Sequence, residues 1–231
     1  MKKSLTIVSL LAGAVGVYAQ GTVQWQAYYP GKISIEVYGP QPTSPTIQTY
    51  GNSAYDIPAG GTTYDQSTYL GGAATGATSP SDYANGNLWS IQLYAGATSG
   101  LTASQLDPVA GATSTFATSA ADAGEWNGGS TVAIPSSTGG SAGSATVQLY
   151  VWYNGGGTLT YAQALNAGDP VGVSQLLSIV GLGGLGGGSP PATAPTIAGM
   201  TSFSLAVTPE PSTIALGVIG ASAFLLRLRR K

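Results

Sequence analysis

The chain has 231 residues with no cysteine and no histidine, and only 7% of them are charged, against roughly a quarter in ordinary globular proteins. The missing cysteines exclude disulfides, thiolate metal sites and cysteine nucleophiles, and the missing histidines remove the commonest general base and metal ligand. Six of the seven basic residues sit at the two ends, leaving Lys32 alone against eight acids between them; such a balance repels phosphates and excludes a nucleic-acid partner.

Residues 1–19 read as a signal peptide. Lys2 and Lys3 give a positive start, and Leu5 to Val17 is an apolar run of 13 residues, too short for an ordinary membrane span. Val17-Tyr18-Ala19 puts small residues where signal peptidase needs them, so cleavage is expected between Ala19 and Gln20. The competing reading is a short buried helix.

Residues 20–208 read as one all-β domain with long Gly/Ser/Thr-rich loops. Val23, Trp25, Ala27 and Tyr29 alternate with smaller or polar neighbours, Pro30-Gly31 makes a turn, and Ile33, Ile35 and Val37 alternate again. That is a hairpin pattern at period 2. Residues 39–81 carry Pro, Gly, Thr, Tyr and Ser with little periodicity, so we expect loops with one strand over 46–50. Asn85-Gly86 marks a turn before a strand at 88–95, with Trp89, Ile91 and Leu93 on one face. A short strand over 131–134 follows the turn at Asn127-Gly128-Gly129.

Residues 145–153 give the clearest strand. Ala145, Val147, Leu149, Val151 and Tyr153 line one face, and Thr146, Gln148, Tyr150 and Trp152 the other. Tyr161 to Ala167 reads as a helix ending at Gly168. Strands are expected over 171–180 and 201–207, with a flexible glycine-rich loop over 181–191. The tetrapeptide Gly-Ala-Thr-Ser at 76–79, 96–99 and 111–114 holds no fixed period and reads as repeated loop chemistry. Short strands punctuated by Gly and Pro suggest a single β-sandwich or jelly-roll-like domain.

The C-terminus has three parts in order: Pro209-Glu210-Pro211-Ser212-Thr213, an uncharged and mostly aliphatic run from Ile214 to Leu226, and a basic cluster of Arg227, Arg229, Arg230 and Lys231. The run is short for a bilayer, but thinning and arginine snorkelling cover part of the difference. We expect one transmembrane helix over 212–226, with the basic tail 227–231 on the cytoplasmic side. This order of parts resembles the PEP-CTERM sorting signal of Gram-negative bacteria, over residues 208–231; Thr208 departs from the aliphatic residue usual there. The resemblance implies that Pro209, Glu210 and Pro211 are recognised by an inner-membrane exosortase that cleaves near them. It also implies a link to exopolysaccharide and biofilm matrix. A plain C-terminal anchor is the competing reading. The expected route is through the secretion translocon, to an inner-membrane-anchored precursor, then to the cell surface or extracellular matrix.

Catalytic chemistry has no address in the sequence. Gly181-Leu182-Gly183-Gly184-Leu185-Gly186 matches the dinucleotide fingerprint formally, but Ser189-Pro190-Pro191 follows where a helix is required. A Ser-His-Asp triad is impossible without histidine. Glu36, Asp56, Asp65, Asp82, Asp107, Asp122, Glu125 and Asp169 are scattered, and no calcium-loop spacing joins them. No catalytic residue, metal or cofactor is therefore expected. The aromatic set, 13 Tyr and 4 Trp against 3 Phe, suits half-wet surfaces. Tyr150 and Trp152 share the more polar face of the strongest strand and form a candidate glycan-binding platform. The same face would suit packing on a second sheet, and we expect that foremost. The leading functional expectation is a non-enzymatic exported surface or matrix protein. A carbohydrate-binding module is second, and a glycoside hydrolase with paired carboxylates third.

Overall fold

A computed structural model of the chain describes residues 20–72, 79–126, 128, 131–184 and 191–208. The expected signal peptide, the sorting motif at Pro209-Glu210-Pro211, the helix over 212–226 and the basic tail lie outside the described residues, as do Asn127 and Gly129 of the expected turn. In chain order the strands are β1 (Thr22–Gln24), β2 (Tyr28–Tyr29), β3 (Ile33–Ser34), β4 (Val37–Tyr38), β5 (Trp89–Gly96), β6 (Asp107–Thr115), β7 (Thr131–Ala133) and β8 (Gly140–Tyr153). Helix α1 (Tyr161–Ala167) follows, then β9 (Pro170–Val173), β10 (Leu177–Leu182), β11 (Phe203–Ser204) and β12 (Ala206–Val207). The protein is all-β, its sheets are open, and no helix among the described residues is long and apolar enough to cross a membrane.

The main sheet runs β12-β9-β8-β5-β6, with β10 also on β8. Its spine is the antiparallel pair β5–β8, in register as Trp89↔Tyr153, Ile91↔Val151, Leu93↔Leu149 and Ala95↔Val147. Because side chains alternate at period 2, this register stacks apolar partners on one face, and all eight are buried. Burying each large aliphatic side chain contributes about 1.5–3 kcal/mol. Val23, Ile33, Val37 and Phe203, from the short pairs β1–β7, β2–β3 and β4–β11, pack into the same core cluster, with Trp25 and Ile35 from the segments just after β1 and β3. The Trp126 indole N–H donates to the Trp25 carbonyl at 2.8 Å. A Cβ on Gly128 would meet the Trp25 ring at 2.6 Å, so only glycine lets the chain pass there.

Three expectations about strands need correction. The strand expected over 171–180 is broken into β9 and β10. Between the register pairs Tyr150↔Val173 and Leu177↔Val147, two β8 residues face three, Ser174 to Leu176. That extra residue is a bulge, and Leu176 turns outward. No strand forms over 46–50; the segment hangs on one bridge, Tyr50↔Phe203, and on Ser204 N–H donating to the Thr49 carbonyl at 2.9 Å. Conversely β6 takes in the Gly-Ala-Thr-Ser of 111–114, read above as loop. Between Gln92↔Thr113 and Tyr94↔Pro108 one β5 residue faces four. This irregularity erases the alternation that would have marked the strand.

Helix α1 forms where the sequence places it. Thr160 and Gln163 make a reciprocal capping box, and Gly168 closes the helix at φ 76, a left-handed conformation natural to glycine.

Candidate functional site

The two residues of the expected platform part company in the fold. Trp152 is only 6% exposed. Its indole N–H donates to the Leu159 carbonyl at 2.8 Å, and Tyr161, Ala164 and Val171 pack with it. Trp152 is thus not an exposed stacking face: it is packed, as expected foremost, but at the centre of a small core beneath α1 rather than against a second sheet. Tyr150 stays half-exposed. Its ring centroid lies 4.0 Å from that of Tyr94 and 5.0 Å from that of Tyr161, the latter nearly edge-on. Tyr94 reaches Tyr150 because its register partner is Gln148, which makes Tyr150 the diagonal neighbour on the same face. Burial raises the pKa of Tyr94 and Tyr150, and burial with neighbouring tyrosines pushes Tyr161 up to about 12. This patch is uncharged at neutral pH.

A second group of tyrosines was not foreseen. Residues 51–72 hang as a loop along β3 and β4, through Ser34 N–H to the Ile57 carbonyl at 3.1 Å, Leu70 N–H to the Val37 carbonyl at 2.9 Å and Gly39 N–H to the Thr68 carbonyl at 2.8 Å. The loop encloses an open cleft of about 380 Å³. Tyr38 lies at the middle of a stack, its ring 3.8 Å from Tyr64 and nearly parallel, and 4.7 Å from Tyr69. Tyr38 and Tyr64 are buried, Tyr69 is half-buried, and Tyr55 is 83% exposed. Nine of the ten lining side chains end in a hydroxyl or an amide, and none is charged. Gln66 holds φ 56, a left-handed conformation unfavourable for a side chain with a Cβ. The only hint in the sequence was the density of tyrosines, at 55, 64 and 69, in a stretch without periodicity.

Beneath the tyrosines the fold gathers acids that are far apart in sequence. The Tyr38 hydroxyl donates to Glu36 Oε2 at 2.9 Å, and one Asp56 oxygen accepts from the Ser53 N–H. Asp56 is 2% exposed, and its other oxygen has no hydrogen-bond partner among the described residues. Burial raises the pKa of Glu36, opposed by the Tyr38 hydrogen bond and reinforced by the charge of Asp56. Glu125 is pushed up to about 7, by burial first and then by the charges of Asp122 and Glu36. Neither Glu36 nor Asp56 lines the cleft. Among the described residues no group of three or more acids could hold a metal ion.

The glycine-rich fingerprint divides in the structure. Gly181 and Leu182 end β10, and Gly184 exchanges backbone hydrogen bonds with Ala192; Leu185 and Gly186 lie outside the described residues. Of the signal-cleavage pair only Gln20 is described, half-buried just ahead of β1. Comparisons with protein-family models, with characterised proteins and with solved structures find no match to this chain.

Proposed function

We propose that the chain is a non-enzymatic exported surface or matrix protein with a sandwich-like β domain, sorted through Pro209-Glu210-Pro211 by an exosortase. The observation that carries this reading is the order of parts at the two ends: Lys2-Lys3 and an apolar run closed by Val17-Tyr18-Ala19 at one, and Pro209-Glu210-Pro211, the aliphatic run Ile214 to Leu226 and the basic cluster of 227–231 at the other. Gly21 N–H donates to the Ser137 carbonyl at 3.3 Å, and the Thr208 hydroxyl donates to the Leu165 carbonyl at 3.4 Å. Cleavage after Ala19 and cleavage near Pro209 would each leave every described strand in place. The precursor is held in the inner membrane through residues 212–226, and the released domain, carrying Lys32 against eight acids, is repelled by anionic lipid. Converting Pro209 and Glu210 to alanine tests the reading in the native host. The variant is expected to accumulate uncleaved in the membrane fraction; processing at the wild-type position would overturn the proposal.

A second reading, a carbohydrate-binding module, draws on the Tyr94–Tyr150–Tyr161 patch. It presents uncharged, polar-tipped rings at the surface, the kind of face on which sugars stack. Tyr150→Ala is expected to weaken binding to matrix polysaccharide, with the circular dichroism spectrum unchanged. Unaltered binding would remove this patch from consideration.

A further inference from the structure

We propose that the cleft between Tyr38, Tyr55, Tyr64 and Tyr69 is a binding site for a neutral hexopyranose unit of a glycan chain. The inference depends neither on the sorting reading nor on the Tyr150 patch, which lies on a different support.

Size comes first. The volume of about 380 Å³ sits at the lower end of ligand pockets, roughly 300–1,000 Å³, enough for one or two sugar rings. Shape comes next. The floor is already rigid, because Tyr38 and Tyr64 are buried and stacked, and their hydroxyls are engaged by Glu36 and by the Gly51 carbonyl. Tyr55 has no such role. It is a large ring left 83% exposed at the margin of the cleft, free to cover the apolar face of a pyranose.

Chemistry then narrows the ligand. A hexopyranose carries hydroxyls around its rim and C–H bonds on its faces. It asks for aromatic faces together with many small donors and acceptors, which is what Tyr55, Tyr69, Thr62, Thr63 and Gln66 supply. A proline-rich peptide also docks on tyrosines, but it offers few donors to so many hydroxyls. Charge decides between sugars. No cation lines the cleft, while Glu36 and Asp56 lie behind its floor and Asp65 stands beside it, its carboxylate 3.5 Å from the Thr43 hydroxyl. Uronic acids would therefore be repelled, and neutral sugars accepted.

The test is calorimetric titration of the full-length chain with cello-, malto-, galacto- and manno-oligosaccharides, an oligogalacturonate and a proline-rich peptide. Saturable binding of at least one neutral oligosaccharide is expected, with none of the oligogalacturonate. Tyr55→Ala is expected to weaken that binding about tenfold or more, and Val180→Ala, at an exposed residue on β10 outside the cleft, to leave it unchanged. Thr63→Ala gives a second, milder reduction that does not depend on an aromatic ring. The proposal is overturned if no neutral oligosaccharide saturates, if binding survives both cleft variants, or if the oligogalacturonate or the peptide binds more tightly.

Discussion

Tyrosines gather twice in this molecule, on two kinds of support. Tyr94, Tyr150 and Tyr161 stand on β5, β8 and a capped helix, where the register of buried partners fixes which side chains share a face. Tyr38, Tyr55, Tyr64 and Tyr69 are assembled by a loop that borrows its hydrogen bonds from β3 and β4. The regular support yields a half-exposed patch of mutually tilted rings, and the irregular one yields a concavity. A sheet cannot easily make a concave, hydroxyl-rich surface, because its side chains stand parallel and evenly spaced. A loop can, if enough backbone bonds hold it.

The comparison is broken most severely at Trp152. If its ring is core rather than platform, Trp152→Ala is expected to cost about 3–5 kcal/mol of stability, read as a shift of the urea midpoint. A loss below about 1 kcal/mol would mean that the helix does not cover it. A smaller effect is expected at the cap of α1. Thr160→Ala removes the side-chain acceptor for Gln163 N–H and should cost about 1 kcal/mol. Hydrogen exchange should then quicken in 161–167 while the β8 amides stay protected. Equal quickening in β8 would show that the patch and its sheet open as one unit.

The loop-built region is expected to respond to pH. Glu125 has an ordinary pKa of 4.5 and is pushed up to about 7, by burial and then by its acidic neighbours. The folded chain therefore holds that proton more tightly than the unfolded one. This contribution is fully present below the ordinary value and is lost as pH rises through about 7. Glu36, raised chiefly by burial, acts in the same direction. The melting temperature should fall between about pH 5 and about pH 8, and Glu125→Gln should flatten that slope. A slope of the opposite sign would mean that these acids are stabilised as carboxylates. The smallest effect belongs to Tyr55→Ala, expected within about 0.5 kcal/mol of wild type because the ring is 83% exposed. A larger loss would make Tyr55 a packing residue.

The same contrast explains what the sequence revealed. The β5 and β8 faces, the hairpin at Pro30-Gly31 and the helix closed by Gly168 follow from period 2, turn chemistry and capping, all of which are local. Strand β6 escaped because its bulge opposite Leu93 destroys the alternation. The 171–180 strand was read as continuous because a bulge at Ser174 to Leu176 leaves no mark in composition. Packing of the polar face was the foremost expectation and holds for Trp152, but the sequence did not show that α1 rather than a second sheet covers it, or that Tyr150 stays half-exposed beside it. The cleft was invisible, because nothing local says that the loop carrying Tyr55, Tyr64 and Tyr69 folds back along β4 beside Tyr38. Nor does anything local bring Glu36 and Asp56 under one floor.

The sorting reading rests on the two ends of the chain, and the intact mass of the protein from the surface fraction of its native host tests it most directly. The account predicts an N-terminus at Gln20 and a C-terminus between Thr208 and Pro211, with every described strand retained. A C-terminus at Lys231 would contradict it and make the tail a plain membrane anchor.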